Sequence, residues 1–143
     1  MHAEQISVFL ENKAGRLAEV TKVLSDAGVN IRALSLADTS DFGILRIIVD
    51  DNKKAESTLK DAGFTVRKTR VVAVEVADRP GGLHEILAFL QDARINVEYM
   101  YAFVRQKKDN AVMIFRFDNT DQAVRALTEK GFSVIKGETL YTM

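Results

Sequence analysis

The chain repeats itself, and this limits its possible folds more than any other feature. Glu11-Asn12-Lys13-Ala14-Gly15-Arg16-Leu17 answers Ala77-Asp78-Arg79-Pro80-Gly81-Gly82-Leu83 at an offset of 66 residues, Gly15 against Gly81. The same offset pairs Val8 with Val74, Glu19 with Glu85, Leu24 with Leu90 and Asn30 with Asn96. Later the offset is 68, pairing Asp50 with Asp118, Ala55 with Ala123, Leu59 with Leu127 and Gly63 with Gly131. Two residues therefore enter between Asn96 and Asp118. The polar run Gln106–Asn110 is the natural place, since a hairpin tip at the surface tolerates insertion. The reading assigns 1–70 and 71–143 to two domains, each close to the lower size limit for a self-sufficient core.

Within one copy the periods alternate. Ile6, Val8 and Leu10 repeat every second residue, as in a strand. Leu17, Val20, Leu24 and Ala27 follow at helical spacing. Gly28 is placed to end that helix; Arg94 stands there in the second copy, which predicts a different cap. Strands are predicted over 31–36 and 44–49, a helix over 53–62 stopped by Gly63, and a last strand from Phe64. The second copy gives 97–104, 112–117, 121–130 and Phe132 onward. This order, strand-helix-strand-strand-helix-strand, predicts an α+β fold of two ferredoxin-like βαββαβ units with antiparallel sheets and helices on one face. The last strand of the first copy runs into the first strand of the second with no Gly/Ser spacer. Two units set side by side in one eight-stranded sheet, with a preorganised groove between them, are expected.

Composition narrows the function. Twenty basic and 20 acidic residues give a net charge of zero, without the basic excess of a nucleic-acid binder. No cysteine is present, which removes thiolate catalysis and suits a cytoplasmic location. No signal peptide or membrane span is visible. His2 and His84 are the only histidines, and no nucleophile, metal or phosphate-loop motif accompanies them, so no catalytic residue, metal or cofactor is assigned. Asp50-Asp51 reads as a helix start rather than a metal site. A small enzyme using Glu19 or Asp41 as acid–base groups is a weaker alternative, because no convergent partners accompany them.

The loop after the first strand of each copy carries the chemistry. Its glycines allow close backbone approach, and the helix start behind it offers unpaired N–H groups to an anion. Asn12 or Asp78 can accept from an ammonium, and Asn30 and Asn96 can both donate and accept. Turn and cap formation alone would also explain these residue types.

These segments, together with Ala27-Gly28-Val29-Asn30-Ile31 and Ala93-Arg94-Ile95-Asn96-Val97, make the chain resemble the ACT-domain family over nearly its whole length. Leu34–Arg46 is similar to the stand-alone tandem branch. The resemblance implies a non-catalytic amino-acid-binding regulator, with the ligand at the junction of the two units. It implies a site of Asn12, Ala14, Gly15, Arg16 and Leu17 with Asn96 and Val97. A related site joins Asp78, Pro80, Gly81, Gly82 and Leu83 with Asn30 and Ile31. Ala14 stands where the family has proline and Asn12 where it has an acid, which predicts unequal sites. Thr39, Ser40, Asp41, Tyr99 and Tyr101 are candidates for specificity. A homodimer and a metabolic-enzyme partner are expected, with no nucleic acid or membrane. The rival expectation is a ligand-independent interaction module using sheet edges and faces.

Overall fold

The computed structural model describes residues 1–38, 41–103 and 109–143. They divide into two compact units, Glu4–Thr69 and Met1–Ala3 with Arg70–Met143.

In the first unit, β1 (Ala3–Glu11) leads to α1 (Arg16–Asp26), β2 (Ile31–Asp38), β3 (Phe42–Val49), α2 (Asn52–Asp61) and the start of β4 (Thr65–Ala77). The strand order is β2-β3-β1-β4, with β3 antiparallel to both its neighbours. Register sets the faces. Val8 lies opposite Leu45 and Ile6 opposite Ile47, so one face is apolar. Val20 and Leu24 of α1 and Ala55 and Leu59 of α2 close over it as one buried cluster.

The second unit repeats the plan. The later part of β4 is followed by α3 (Gly82–Asp92), β5 (Val97–Ala102), β6 (Asn110–Phe117), α4 (Thr120–Lys130) and β7 (Val134–Ile135). β4 lies between β6 and β7, and β5 flanks β6. Val72, Val74, Phe115 and Phe117 form the apolar face, under Ile86, Leu90, Ala123 and Leu127. Both units are thus ferredoxin-like, as the repeat predicts.

Three details differ from the expectations. The strands predicted near 64–69 and 71–77 are one uninterrupted strand, β4, so the described residues contain seven strands and not eight. A short terminal helix, α5 (Gly137–Thr142), buries Leu140 and brings Gly137 against Ala3, where an added Cβ would lie 3.3 Å from the Ala3 Cα. The cap at Arg94 is not made differently. Arg94 adopts φ 59°, beside 75° for Gly28. Its N–H donates to Gln91 O at 3.0 Å and the Ile95 N–H to Leu90 O at 2.9 Å, matching Gly28 to Ser25 and Val29 to Leu24. Burial of Ile95 at 6% exposure offsets the strain of a left-handed arginine. Arg94→Gly should therefore stabilise the chain by up to about 1 kcal/mol in urea denaturation; a loss of stability would show that the arginine side chain has a compensating role.

The remaining helix ends follow local rules. Asp51 and Asn119 cap α2 and α4, accepting from the Lys54 and Gln122 N–H groups at 3.1 Å. Asp50 accepts the Asn30 N–H at 2.9 Å. The acidic pair is structural, as the sequence suggested, and His84 is exposed. No described helix is long and apolar enough to cross a membrane.

Candidate functional site

The loop between the first strand and first helix has the same backbone in both units. Gly15 stands at φ 88°, ψ −17° and Gly81 at φ 88°, ψ −11°, a left-handed conformation that favours glycine. The Asn12 N–H donates to Asp41 O at 2.9 Å and the Asp78 N–H to Asp109 O at 3.3 Å, tying each loop to the residue before its third strand. Lys13 N–H to Glu11 O and Arg79 N–H to Ala77 O set the next bend. Neither α1 nor α3 has a side-chain cap. A helix start without such a cap presents donors and the positive end of the dipole.

In the first unit the loop opens on a cavity of about 100 Å³ lined by Asn12, Lys13, Arg16, Leu17, Leu36 and Gly43, among others. Of the residues predicted for the site, Asn12, Arg16 and Leu17 line this space, while Ala14 and Gly15 shape the loop. Arg16 is already engaged. Its guanidinium donates to Glu11 at 3.2 Å and to Glu19 at 3.1 Å. Hydrogen bonds from Lys13 and then Arg16 hold the Glu11 carboxyl below its ordinary range, and Glu11 and Glu19 raise Arg16 in turn. A ligand carboxylate would have to compete with those acids for Arg16, so the uncapped backbone is the better anchor.

Leu36 and Gly43 were not legible as site residues. Leu36 reaches the cavity because it lies opposite Leu45 on the helix-covered face, two strands from Asn12. A period-2 pattern shows that face but not what approaches it.

In the second unit Asp78, Pro80, Gly81, Gly82 and Leu83 form the equivalent loop and helix start. Asn30 with Ile31, and Asn96 with Val97, lie at the beginnings of β2 and β5. Within a unit they do not join the loops. Glu11 pairs with Phe42 at one end of β3 and Ile31 with Val49 at the other, a separation of about 23 Å along an eight-residue strand. Tyr99 and Tyr101 share a face, but opposite Arg116 and Ile114, away from the helix-covered side. Thr39 and Ser40 lie outside the described residues; Asp41 fixes the Asn12 loop through its carbonyl.

The whole chain, residues 1–143, matches the ACT domain pair family. It belongs to that family. Among solved structures, this ACT pair is 42% identical to protein BT0572 from Bacteroides thetaiotaomicron, covering all of this chain and 98% of that one, with a TM-score of 0.94. It shares its fold with the regulatory subunits of aspartate kinase from Thermus thermophilus and Thermus flavus. The first is 16% identical with a TM-score of 0.64, covering 91% of this chain and 93% of that one. The second is 14% identical with a TM-score of 0.58, covering 88% and 90%. Comparison with curated proteins finds no match.

Proposed function

We propose that this ACT pair is a non-catalytic sensor of a small amino acid that regulates a metabolic enzyme. The observation that carries the reading is the duplicated loop. Both copies keep a left-handed glycine, an uncapped helix start and an amide or carboxylate at Asn12 or Asp78. A zwitterion suits such a place. Its carboxylate lies against the helix start, and its ammonium donates to the residue at 12 or 78. Asn30 and Asn96, with Ile31 and Val97, lie far from their own unit's loop, so they complete a site only as the contribution of another ACT unit.

The two loops are unequal. Asp78 offers a charged acceptor and Asn12 a neutral one. Isothermal titration against the twenty amino acids should find a ligand. Asp78→Ala should weaken binding by about tenfold or more and Asn12→Ala by less, because hydrogen bonds to charged partners contribute more than neutral ones. No binding at millimolar concentration would defeat the sensor reading, and equal losses would defeat the ranking.

Two solved relatives by fold are regulatory subunits of aspartate kinases, which supports a regulatory role in trans. Regulation further requires that the ligand bind one state of the protein or its complex more tightly than another.

A ligand-independent interaction module is the second reading. Leu34 and Leu36 on edge strand β2 and Leu17 on α1 are 48%, 51% and 38% exposed. Apolar side chains on an unprotected edge favour association, including a homodimer. An amino acid that raises the melting temperature supports the sensor, since only a ligand of the native state does so.

A further inference from the structure

The first unit has a second cavity, of about 250 Å³, at the end of its sheet. It lies between the close of β1, the start of α1, the start of β3 and the α2–β4 turn. Phe9, Phe42, Phe64, Glu11 and Arg16 are among the residues that line it. Phe64 packs against the buried core, and the second unit packs Phe132 the same way at that repeat position. That ring belongs to the shared fold.

Phe9 and Phe42 do not. They are 37% and 61% exposed, and the second unit has Glu75 and Asn110 at their repeat positions. There Asn110 donates to Glu75 at 3.2 Å, and Ser133 donates to the same carboxylate at 3.4 Å. The fold is therefore built equally well without either exposed ring. Phe42 lies opposite Glu11, and Phe9 is two residues back from Glu11 on the same face. Such diagonal neighbours stand about 7–8 Å apart. That leaves room for one flat group between two rings, at contact distances of about 3.5–4.0 Å.

Charge narrows the choice of ligand. The Arg67 guanidinium lies 5.8 Å from the centre of the Phe9 ring. It is exposed and forms no ion pair among the described residues. Arg16, by contrast, donates to Glu11 and Glu19, and Glu11 is further neutralised by Lys13 at 3.2 Å. Arg67 is thus the cation left for a ligand, and the second unit has Ile135 at that repeat position. A guanidinium held over a ring keeps its edge donors for a carboxylate. The volume lies below the range of about 300–1,000 Å³ that holds drug-sized ligands, so it suits a single ring with a short acid chain.

We propose that the first unit's cavity binds a monocyclic aromatic carboxylate, with its ring between Phe9 and Phe42 and its carboxylate on Arg67. The proposal does not rest on the sensor reading, whose acceptors are Asn12 and Asp78. Two sources share the chemistry: an aromatic amino acid and an aromatic acid without an amino group.

The test is an amide NMR titration of the full chain with 3-phenylpropanoate, 3-phenylpropan-1-ol and 3-cyclohexylpropanoate. The first should shift the Leu10, Gly63 and Thr65 amides saturably. The alcohol lacks the charge and the cyclohexyl acid lacks the flat ring. Each should bind about threefold more weakly, the loss expected for an exposed ion pair or a ring stack. Phe9→Glu, which installs the second unit's residue, should weaken 3-phenylpropanoate by at least about tenfold, since it removes a ring and sets a like charge there. Asn12→Ala, which probes the loop site, should change it by less than about twofold, because the amide lies outside this cavity. If phenylalanine competes for the same amides the source is an amino acid; if it does not, an acid without the amino group. Both results support the site. No saturable shift at millimolar concentration, equal affinity for the alcohol or the cyclohexyl acid, or a loss in Asn12→Ala as large as in Phe9→Glu would overturn it. Should Phe9→Glu lose its native circular dichroism, Arg67→Gln takes its place, with about a threefold loss expected and an unchanged affinity overturning the proposal.

Discussion

Gly82→Ala should destabilise the second unit by about 3 kcal/mol or more, at the upper end for overpacking a rigid site. Gly82 is fully within the fold as the first residue of α3. A Cβ there would overlap the Ala77 oxygen and stand 3.0 Å from the Ala77 carbonyl carbon. Both obstacles are backbone, fixed by β4 on one side and α3 on the other, so no side-chain rotation relieves them. The first unit accepts Arg16 at the same repeat position. Its turn is looser, with Arg16 N–H to Lys13 O at 3.4 Å against 3.0 Å for Gly82 to Arg79. Arg16→Gly should therefore cost much less, through lost ion pairs and helix entropy of about 1 kcal/mol. Urea denaturation of the two variants checks the contrast; similar losses would show that the Ala77 approach relaxes.

Phe115→Ala should cost about 3–5 kcal/mol, the range for a buried phenylalanine emptied to alanine. Phe115 and Phe117 are both 0% exposed. Their rings stack at 5.5 Å between centroids with planes 9° apart. The first unit has Ile47 and Val49 at these repeat positions, so it builds its core without that stack. A unit of this size has a total stability of only several kcal/mol. In Phe115→Ala the amide cross-peaks of α3, β6 and α4 should lose protection from hydrogen exchange. Full protection would mean that the cavity left by the ring collapses at little cost.

Local signals settled much of this protein. The offset between Gly15 and Gly81 set the number of units, and the change of period from Ile6–Leu10 to Leu17–Ala27 set the order of elements. Asp51, Asn119, Gly63 and Gly131 marked helix ends because capping and left-handed turns act over three or four residues. The loops at Asn12 and Asp78 were legible for the same reason. Arg94 misled because the burial of Ile95, a tertiary effect, offsets its backbone strain. Helix α5 was hidden too, since it depends on packing that brings Gly137 to Ala3.

The tertiary structure alone decided which side chains meet across strands. Leu36 faces the Asn12 loop only through the β2–β3 register, and Glu75 meets Asn110 and Ser133 only because β4 lies between β6 and β7. Strand pairing joins residues tens of positions apart. Its register follows from the whole buried face rather than from any window of sequence, so contacts that depend on it are read from coordinates and not from periodicity.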